Sequence, residues 1–124
     1  MIKATILIVE DEAVVARDIS RMLTNLGHTV LDPVMTGEEA ISKAASEKPD
    51  LVMMDIQLAG KIDGVTAAIE IRAAQNTPVV FLTGNTDAAT LERAKPARPS
   101  AYIPKPFCES ELRFWIEKAL RKAS

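Results

Sequence analysis

Five polar side chains lie just past the ends of four separate apolar segments, and together they could carry phosphoryl chemistry. They are Glu10, Asp11, Asp55, Thr83 and Lys105. In an open α/β sheet, residues at the carboxyl ends of parallel strands converge on one crevice, which is where ligands bind. Three carboxylates, a hydroxyl and an ammonium group suit a divalent cation and a phosphoryl group. The pattern therefore predicts a phosphoryl-transfer site at one edge of a sheet.

The carboxylates divide into a nucleophile and metal ligands. Asp55 is the predicted nucleophile, because a carboxylate can attack phosphorus and form an acyl phosphate. Two anions repel, so a cation is needed, and Asp11 and Glu10 offer hard oxygen atoms for it. Mg²⁺ fits, because it takes one or two carboxylates, keeps waters and shares phosphate oxygens. We expect Asp11, Asp55 and the backbone carbonyl of Gln57 as ligands, with Glu10 behind them or bound through a water.

Lys105 and Thr83 are the predicted partners of the phosphoryl oxygens. Lys105 would neutralise one oxygen as a flexible point charge, and the Thr83 hydroxyl would donate a hydrogen bond to another. Each of these residues alone also has an ordinary structural explanation, as a solvated lysine or a turn hydroxyl. Their joint placement after separate apolar segments argues against coincidence.

Composition indicates one globular domain, residues 1–124, of which 48% are hydrophobic. Cys108 is the single cysteine, which excludes an internal disulfide and fits a reducing compartment. The net charge is −2, and no basic excess points to direct nucleic-acid binding. No apolar stretch is long enough to cross a membrane, and no signal-peptide pattern is present. We expect a cytoplasmic protein.

Apolar segments alternate with helix-period segments about five times. Continuous apolar residues at 4–9, 51–54 and 78–82 are typical of strands buried on both faces, while 29–31 and 101–103 are weaker strand candidates. Because proline cannot donate to a ladder, Pro33 predicts that the second strand lies at a sheet edge.

Helices are predicted between these strands, at about 12–26, 36–46, 64–75, 87–95 and 109–122. Thr36 opens a capping-box pattern, Asp63 is a candidate N-cap, and Pro96 is expected to end the fourth helix. The alternation predicts an α/β fold: a doubly wound parallel sheet with helices on both faces.

From end to end, the chain resembles the receiver domains of two-component response regulators. The resemblance rests on five motifs in this order: Ile8-Val9-Glu10-Asp11-Glu12, Met54-Asp55-Ile56-Gln57-Leu58, Asp63-Gly64, Leu82-Thr83-Gly84 and Tyr102-Ile103-Pro104-Lys105-Pro106-Phe107. It implies a five-stranded, flavodoxin-like sheet with five helices, phosphorylation of Asp55, and Mg²⁺ dependence. It also implies a cis Lys105–Pro106 bond and a switch made of Thr83 and Tyr102. One departure is Gly84, where alanine is more usual.

The same resemblance implies partners. The donor would be a histidine kinase or a histidine phosphotransfer protein, and the recipient an output domain or downstream protein. The chain would be a phosphoacceptor in a phosphorelay and not an enzyme, with self-catalysed phosphotransfer and autodephosphorylation at most.

Three alternatives remain open. The first is a degenerate receiver that acts only as a protein-interaction module. The second is a phosphatase-like hydrolase with an aspartyl nucleophile, which usually has a second acid where this chain has Gln57. The third is a flavodoxin-like mononucleotide binder, which Glu10, Asp11 and Glu12 disfavour because they would repel phosphate.

Overall fold

A computed structural model describes residues 3–58, 60–84 and 87–123. Five strands alternate with five helices in the described part of the chain, as the sequence predicts. The strands are β1 (Thr5–Val9), β2 (Thr29–Val30), β3 (Leu51–Asp55), β4 (Val79–Thr83) and β5 (Ala101–Pro104). The helices are α1 (Ala13–Asn25), α2 (Gly37–Glu47), α3 (Gly64–Gln75), α4 (Ala88–Ala94) and α5 (Glu109–Ala123).

The strands form one parallel sheet in the order β2-β1-β3-β4-β5. This confirms the doubly wound fold and the edge position of β2. The chain leaves β1 towards β2 and then crosses to β3 on the other side, so the direction of winding changes between β1 and β3. A crevice opens at such a point, outside the carboxyl ends of the strands.

Each face of the sheet has its own apolar core, because side chains alternate between the faces along every strand. On one face α1 and α5 pack through residues such as Ile19 and Ile116, and on the other α2 and α3 pack through residues such as Ala40 and Ile71. The central strands β1, β3 and β4 are buried on both sides, which explains their continuous apolar sequences.

Local signals determine where several helices begin. The Thr36 hydroxyl accepts the backbone N–H of Glu39 at the start of α2, and the Asp63 carboxylate accepts that of Thr66 at the start of α3. Helix α4 is shorter than predicted, because the α-helix ends at Ala94 and the chain continues as a 3₁₀ turn, Lys95–Ala97. Among the described residues, none of the helices has both the length and the apolar character required to cross a membrane.

Candidate phosphoacceptor and metal site

The three predicted acids meet at the crevice between β1 and β3. Glu10 and Asp11 directly follow β1, and Asp55 is the last residue of β3, whose Met54 lies opposite Val9 in the register. Each acid offers a carboxylate oxygen, and these oxygens lie within 4.8 Å of one another. Glu10 and Asp55 are buried, whereas Asp11 is partly exposed. The topology thus brings Asp55 next to two acids that are far from it in the sequence.

Lys105 connects two of these acids. Its ammonium Nζ lies 2.8 Å from Glu10 Oε1 and 3.1 Å from Asp55 Oδ2. Its backbone N–H donates to the carbonyl of Thr83 at 2.8 Å, and the Lys105–Pro106 bond is cis, as predicted. Burial opposes the charged form of Lys105, but the hydrogen bond to Glu10 and the charge of Asp55 outweigh it and raise the pKa of the ammonium above 10.5. Lys105 is therefore a cation at neutral pH.

The backbone after β3 holds Asp55 in place. The N–H of Gln57 donates to Asp55 Oδ1 at 3.0 Å, and the N–H of Ile56 donates to the carbonyl of Leu82. Gly64, the first residue of α3, donates its N–H to the carbonyl of Ile56 at 3.0 Å. A Cβ at Gly64 would overlap the carbonyl oxygen of Asp55. The start of α3 is thus packed directly against the backbone of Asp55. The sequence analysis identified Asp63-Gly64 only as a motif and did not predict this contact.

Glu10 and Asp11 differ in how exposed their carboxylates are. Glu10 accepts from Lys105 through Oε1 and from the backbone N–H of Glu12 through Oε2, at 3.3 Å, and its side chain is fully buried. Both Glu10 oxygens therefore have partners within the protein. Asp11 is the more accessible of the two. This difference favours Asp11 over Glu10 as a direct ligand.

The donor set fits a hard divalent cation. Three carboxylates surround the crevice, and Lys105 contributes one positive charge against them. Carboxylate oxygens at this spacing repel one another, and an ion that prefers oxygen ligands removes that repulsion. The chemistry of the crevice therefore suits Mg²⁺.

Thr83 and Tyr102 occupy neighbouring strands near the same edge. Thr83 is the last residue of β4 and is buried, one position beyond Leu82, which lies opposite Asp55. Tyr102 lies opposite Phe81, and the two rings stack with centroids 5.7 Å apart. Burial raises the pKa of the Tyr102 hydroxyl. The two residues of the predicted switch thus lie on adjacent strands, with Tyr102 partly buried over the α3 side of the sheet.

A comparison with known proteins shows which family this chain resembles. The model of the response regulator receiver domain matches residues 6–117. Among curated relatives, the transcriptional regulatory protein PdtaR of Mycobacterium tuberculosis is 38% identical over 94% of this chain and 57% of its own length. The transcriptional regulatory protein ResD of Bacillus subtilis is 33% identical over 96% of this chain and 49% of its own. The chain spans about half the length of these relatives.

Solved structures agree in fold over nearly the whole chain. The signal receiver domain of a modulated diguanylate cyclase from Desulfovibrio desulfuricans superposes with a TM-score of 0.93 at 37% identity, covering 98% of this chain and 97% of that one. The N-terminal domain of a response regulator/sensory box/GGDEF protein from Carboxydothermus hydrogenoformans has a TM-score of 0.87 at 39% identity, covering 95% and 94%.

Proposed function

The chain belongs to the response regulator receiver family, and from that premise we propose that Asp55 accepts a phosphoryl group from a histidine of a partner protein. The observation that carries the proposal is the partly buried contact of Asp55 with Lys105, beside the acids Glu10 and Asp11. A degenerate receiver would not need this arrangement. A hydrolase of the aspartyl type is not favoured either, because the position of its second acid is Gln57.

In the proposed step an oxygen of Asp55 attacks phosphorus, an O–P bond forms, and the N–P bond to the donor imidazole breaks. The imidazole leaves with the electron pair and takes up a proton from solvent. The N–H of Gln57 and the ammonium of Lys105 orient the carboxylate before the attack. Positioning and charge stabilisation of this kind account for most catalysis of phosphoryl transfer.

Mg²⁺ would be held by Asp11, Asp55 and the backbone carbonyl of Gln57, with Glu10 behind them. When bound, it supplies positive charge that offsets the repulsion between Asp55 and an incoming phosphoryl group. Glu10 would act mainly by holding Lys105, since its Oε1 accepts from the ammonium.

The donor needs access next to Lys105. A groove of about 410 Å³ runs between α1 and the segment after β5, and its apolar lining includes Val15, Met22 and Phe107. Lys105 lines the same groove, so a protein seated there would lie beside the acceptor carboxylate. This supports a protein donor, namely a histidine kinase or a histidine phosphotransfer protein.

Phosphorylation with acetyl phosphate tests the acceptor. Intact mass should show one phosphoryl addition in the wild type with Mg²⁺, none in Asp55→Asn, and none in EDTA. Asp50→Asn is the matched control, because it removes an exposed carboxylate that directly precedes β3, at the opposite end of the strand from Asp55; it should label like the wild type. Labelling of Asp55→Asn at the wild-type rate would exclude Asp55 as the acceptor.

The proposed output is a population shift carried by Thr83 and Tyr102. A phosphoryl oxygen near Thr83 would give its hydroxyl a charged acceptor, which is worth about 1.5–3 kcal/mol. Such an energy biases a two-state segment by about ten- to a hundredfold. Movement of Thr83 towards Asp55 would leave room for Tyr102 to turn inward, and the surface of α4, β5 and α5 would change for an output domain or downstream protein.

Amide NMR shifts with and without a beryllofluoride mimic test this switch. We expect changes at Tyr102 and in α4 and α5 as well as around Asp55. Thr83→Ala should still label with acetyl phosphate but lose most of the distant changes. If those changes survive in Thr83→Ala, Thr83 does not couple the site to the surface.

A further inference from the structure

A second charged cavity lies at the opposite end of the sheet from Asp55. Its volume is about 430 Å³, and it lies beside Pro78 and Ser100, which directly precede β4 and β5. Its charged lining residues are Arg72 near the end of α3, Arg98 before β5, and Lys122 near the end of α5. None of the residues that line it in the described part of the chain is an acid.

The two arginines are held by neutral acceptors. Arg72 donates from Nη1 to the carbonyl of Asn76 at 2.9 Å and from Nη2 to the carbonyl of Arg98 at 3.4 Å. Arg98 donates to Asn76 Oδ1 at 3.1 Å. The Nε of Arg72 is buried and has no hydrogen-bond partner among the described residues. Both guanidinium groups are therefore held in position, and neither has a carboxylate partner among the described residues.

The charge around this cavity does not balance. Neither arginine nor Lys122 forms an ion pair with a carboxylate of the described residues. The C-terminal ends of α3 and α5 contribute about half a negative charge each, which leaves about two positive charges uncompensated. Burial and the neighbouring charge of Arg98 both lower the pKa of Arg72. Arg72 is partly buried while Arg98 and Lys122 are exposed, and an anion that reaches all three would stabilise the charge of the partly buried guanidinium.

We propose that this cavity binds a small phosphomonoester dianion, such as a sugar or nucleoside phosphate, through Arg72, Arg98 and Lys122. A phosphomonoester carries about −1.5 to −2 charges at neutral pH, which matches the uncompensated charge. Guanidinium groups present planar donors that suit phosphate oxygens. The cavity is larger than a bare phosphate needs and lies within the range of about 300–1,000 Å³ of small-molecule sites. Ser100 and Asn76 offer hydrogen-bonding groups for the organic part.

Amide NMR titration at constant ionic strength tests the site, with ribose 5-phosphate, inorganic phosphate and ribose as probes. Ribose 5-phosphate should give saturable shifts around the cavity, and ribose should give none. Arg98→Gln and Lys122→Gln should each weaken binding about tenfold or more, the effect of losing one charge-assisted hydrogen bond. Arg113→Gln removes an exposed guanidinium elsewhere on α5 and should bind like the wild type. Equal saturable binding of inorganic phosphate would also support the site and would identify free phosphate as the ligand.

Shifts that stay linear in probe concentration, or that centre on Lys105, would overturn the proposal. So would equal binding by Arg98→Gln, Lys122→Gln and Arg113→Gln. Asp55→Asn keeps all three cations and should bind ribose 5-phosphate unchanged. A failure of the phosphoacceptor function would therefore not alter this result, and the two proposals are tested separately.

Discussion

Replacement of Gly64 by alanine should disrupt the site although alanine is the better helix former. Gly64 is the first residue of α3, and alanine is favoured over glycine by up to about 1 kcal/mol in helix propensity, a value that applies in full only inside a helix. In the folded chain, however, a Cβ there would overlap the Asp55 carbonyl oxygen and lie 2.9 Å from its carbonyl carbon and 3.0 Å from the Ile56 Cα. All three atoms belong to the backbone, so no side chain can rotate away. The structure thus predicts a loss where helix propensity predicts a gain.

The expected magnitude follows from this overlap. Inserting a methyl group into a closely packed position costs about 1–3 kcal/mol and occasionally more, so we expect Gly64→Ala to lose about 2–3 kcal/mol. For a chain of this length that corresponds to a fall in Tm of about 10 °C. Displacing the Asp55 carboxylate by about 1 Å should slow labelling by acetyl phosphate about a hundredfold. Thermal unfolding and intact mass measure the two effects.

Gly84→Ala is the matched control. Gly84 is exposed at the end of β4, and a Cβ there would meet no atom of the described residues within 4 Å. We expect its Tm to stay within about 3 °C of the wild type, or to rise, because alanine restricts the unfolded chain. A Gly64→Ala protein that is as stable as Gly84→Ala and labels at the wild-type rate would refute the packing argument.

Two further variants test the charge of Lys105 and the protonation of His28. Lys105→Gln should slow labelling yet bind Mg²⁺ about tenfold more tightly by calorimetry, because it removes a positive charge from carboxylates that lie within 4.8 Å of one another; unchanged Mg²⁺ affinity would contradict this. His28 is buried and accepts the N–H of Ala4 at Nδ1, and burial lowers its pKa below 6.5, so the unfolded chain protonates first as the pH falls. The contribution of His28 to the free energy of unfolding should therefore be constant above about pH 6.5 and should decrease as the pH falls below that value. His28→Asn keeps a hydrogen-bond acceptor but cannot be protonated, so its free energy of unfolding should decrease less. Equal acid sensitivity of both proteins would exclude His28 as a source.

The fold could be predicted because its signals are local. Continuous apolar residues in β3 and β4 indicate strands buried on both faces, and the caps Thr36 and Asp63 fix the starts of α2 and α3. The end of α4 was less well predicted. Pro96 has no N–H to continue the helical ladder, and the chain tightens into the 3₁₀ turn Lys95–Ala97, which contains the proline, instead of remaining α-helical up to it.

The proximity of the candidate site residues could be predicted, but their contacts could not. Strand ends identify Asp55 and Lys105 as neighbours, because carboxyl ends of parallel strands share one edge. Nothing in the sequence indicates that the Lys105 ammonium binds Glu10, or that Gly64 packs on the Asp55 backbone. These contacts depend on side-chain rotamers and on the distance between α3 and β3, and both are determined only when the whole sheet is assembled.

The charge of the two sheet ends follows from the winding of the chain. Each strand leads into a helix whose N-terminus carries partial positive charge at the end of the sheet where Glu10, Asp11 and Asp55 lie. Each helix returns its partial negative C-terminus to the other end, where Arg72 and Lys122 lie. An acid at a helix start or a cation at a helix end therefore looks like ordinary surface stabilisation when it is considered alone. The parallel sheet brings these charges together at its two ends, and for this reason the proposed metal and phosphoryl site lies at one end and the proposed anion site at the other.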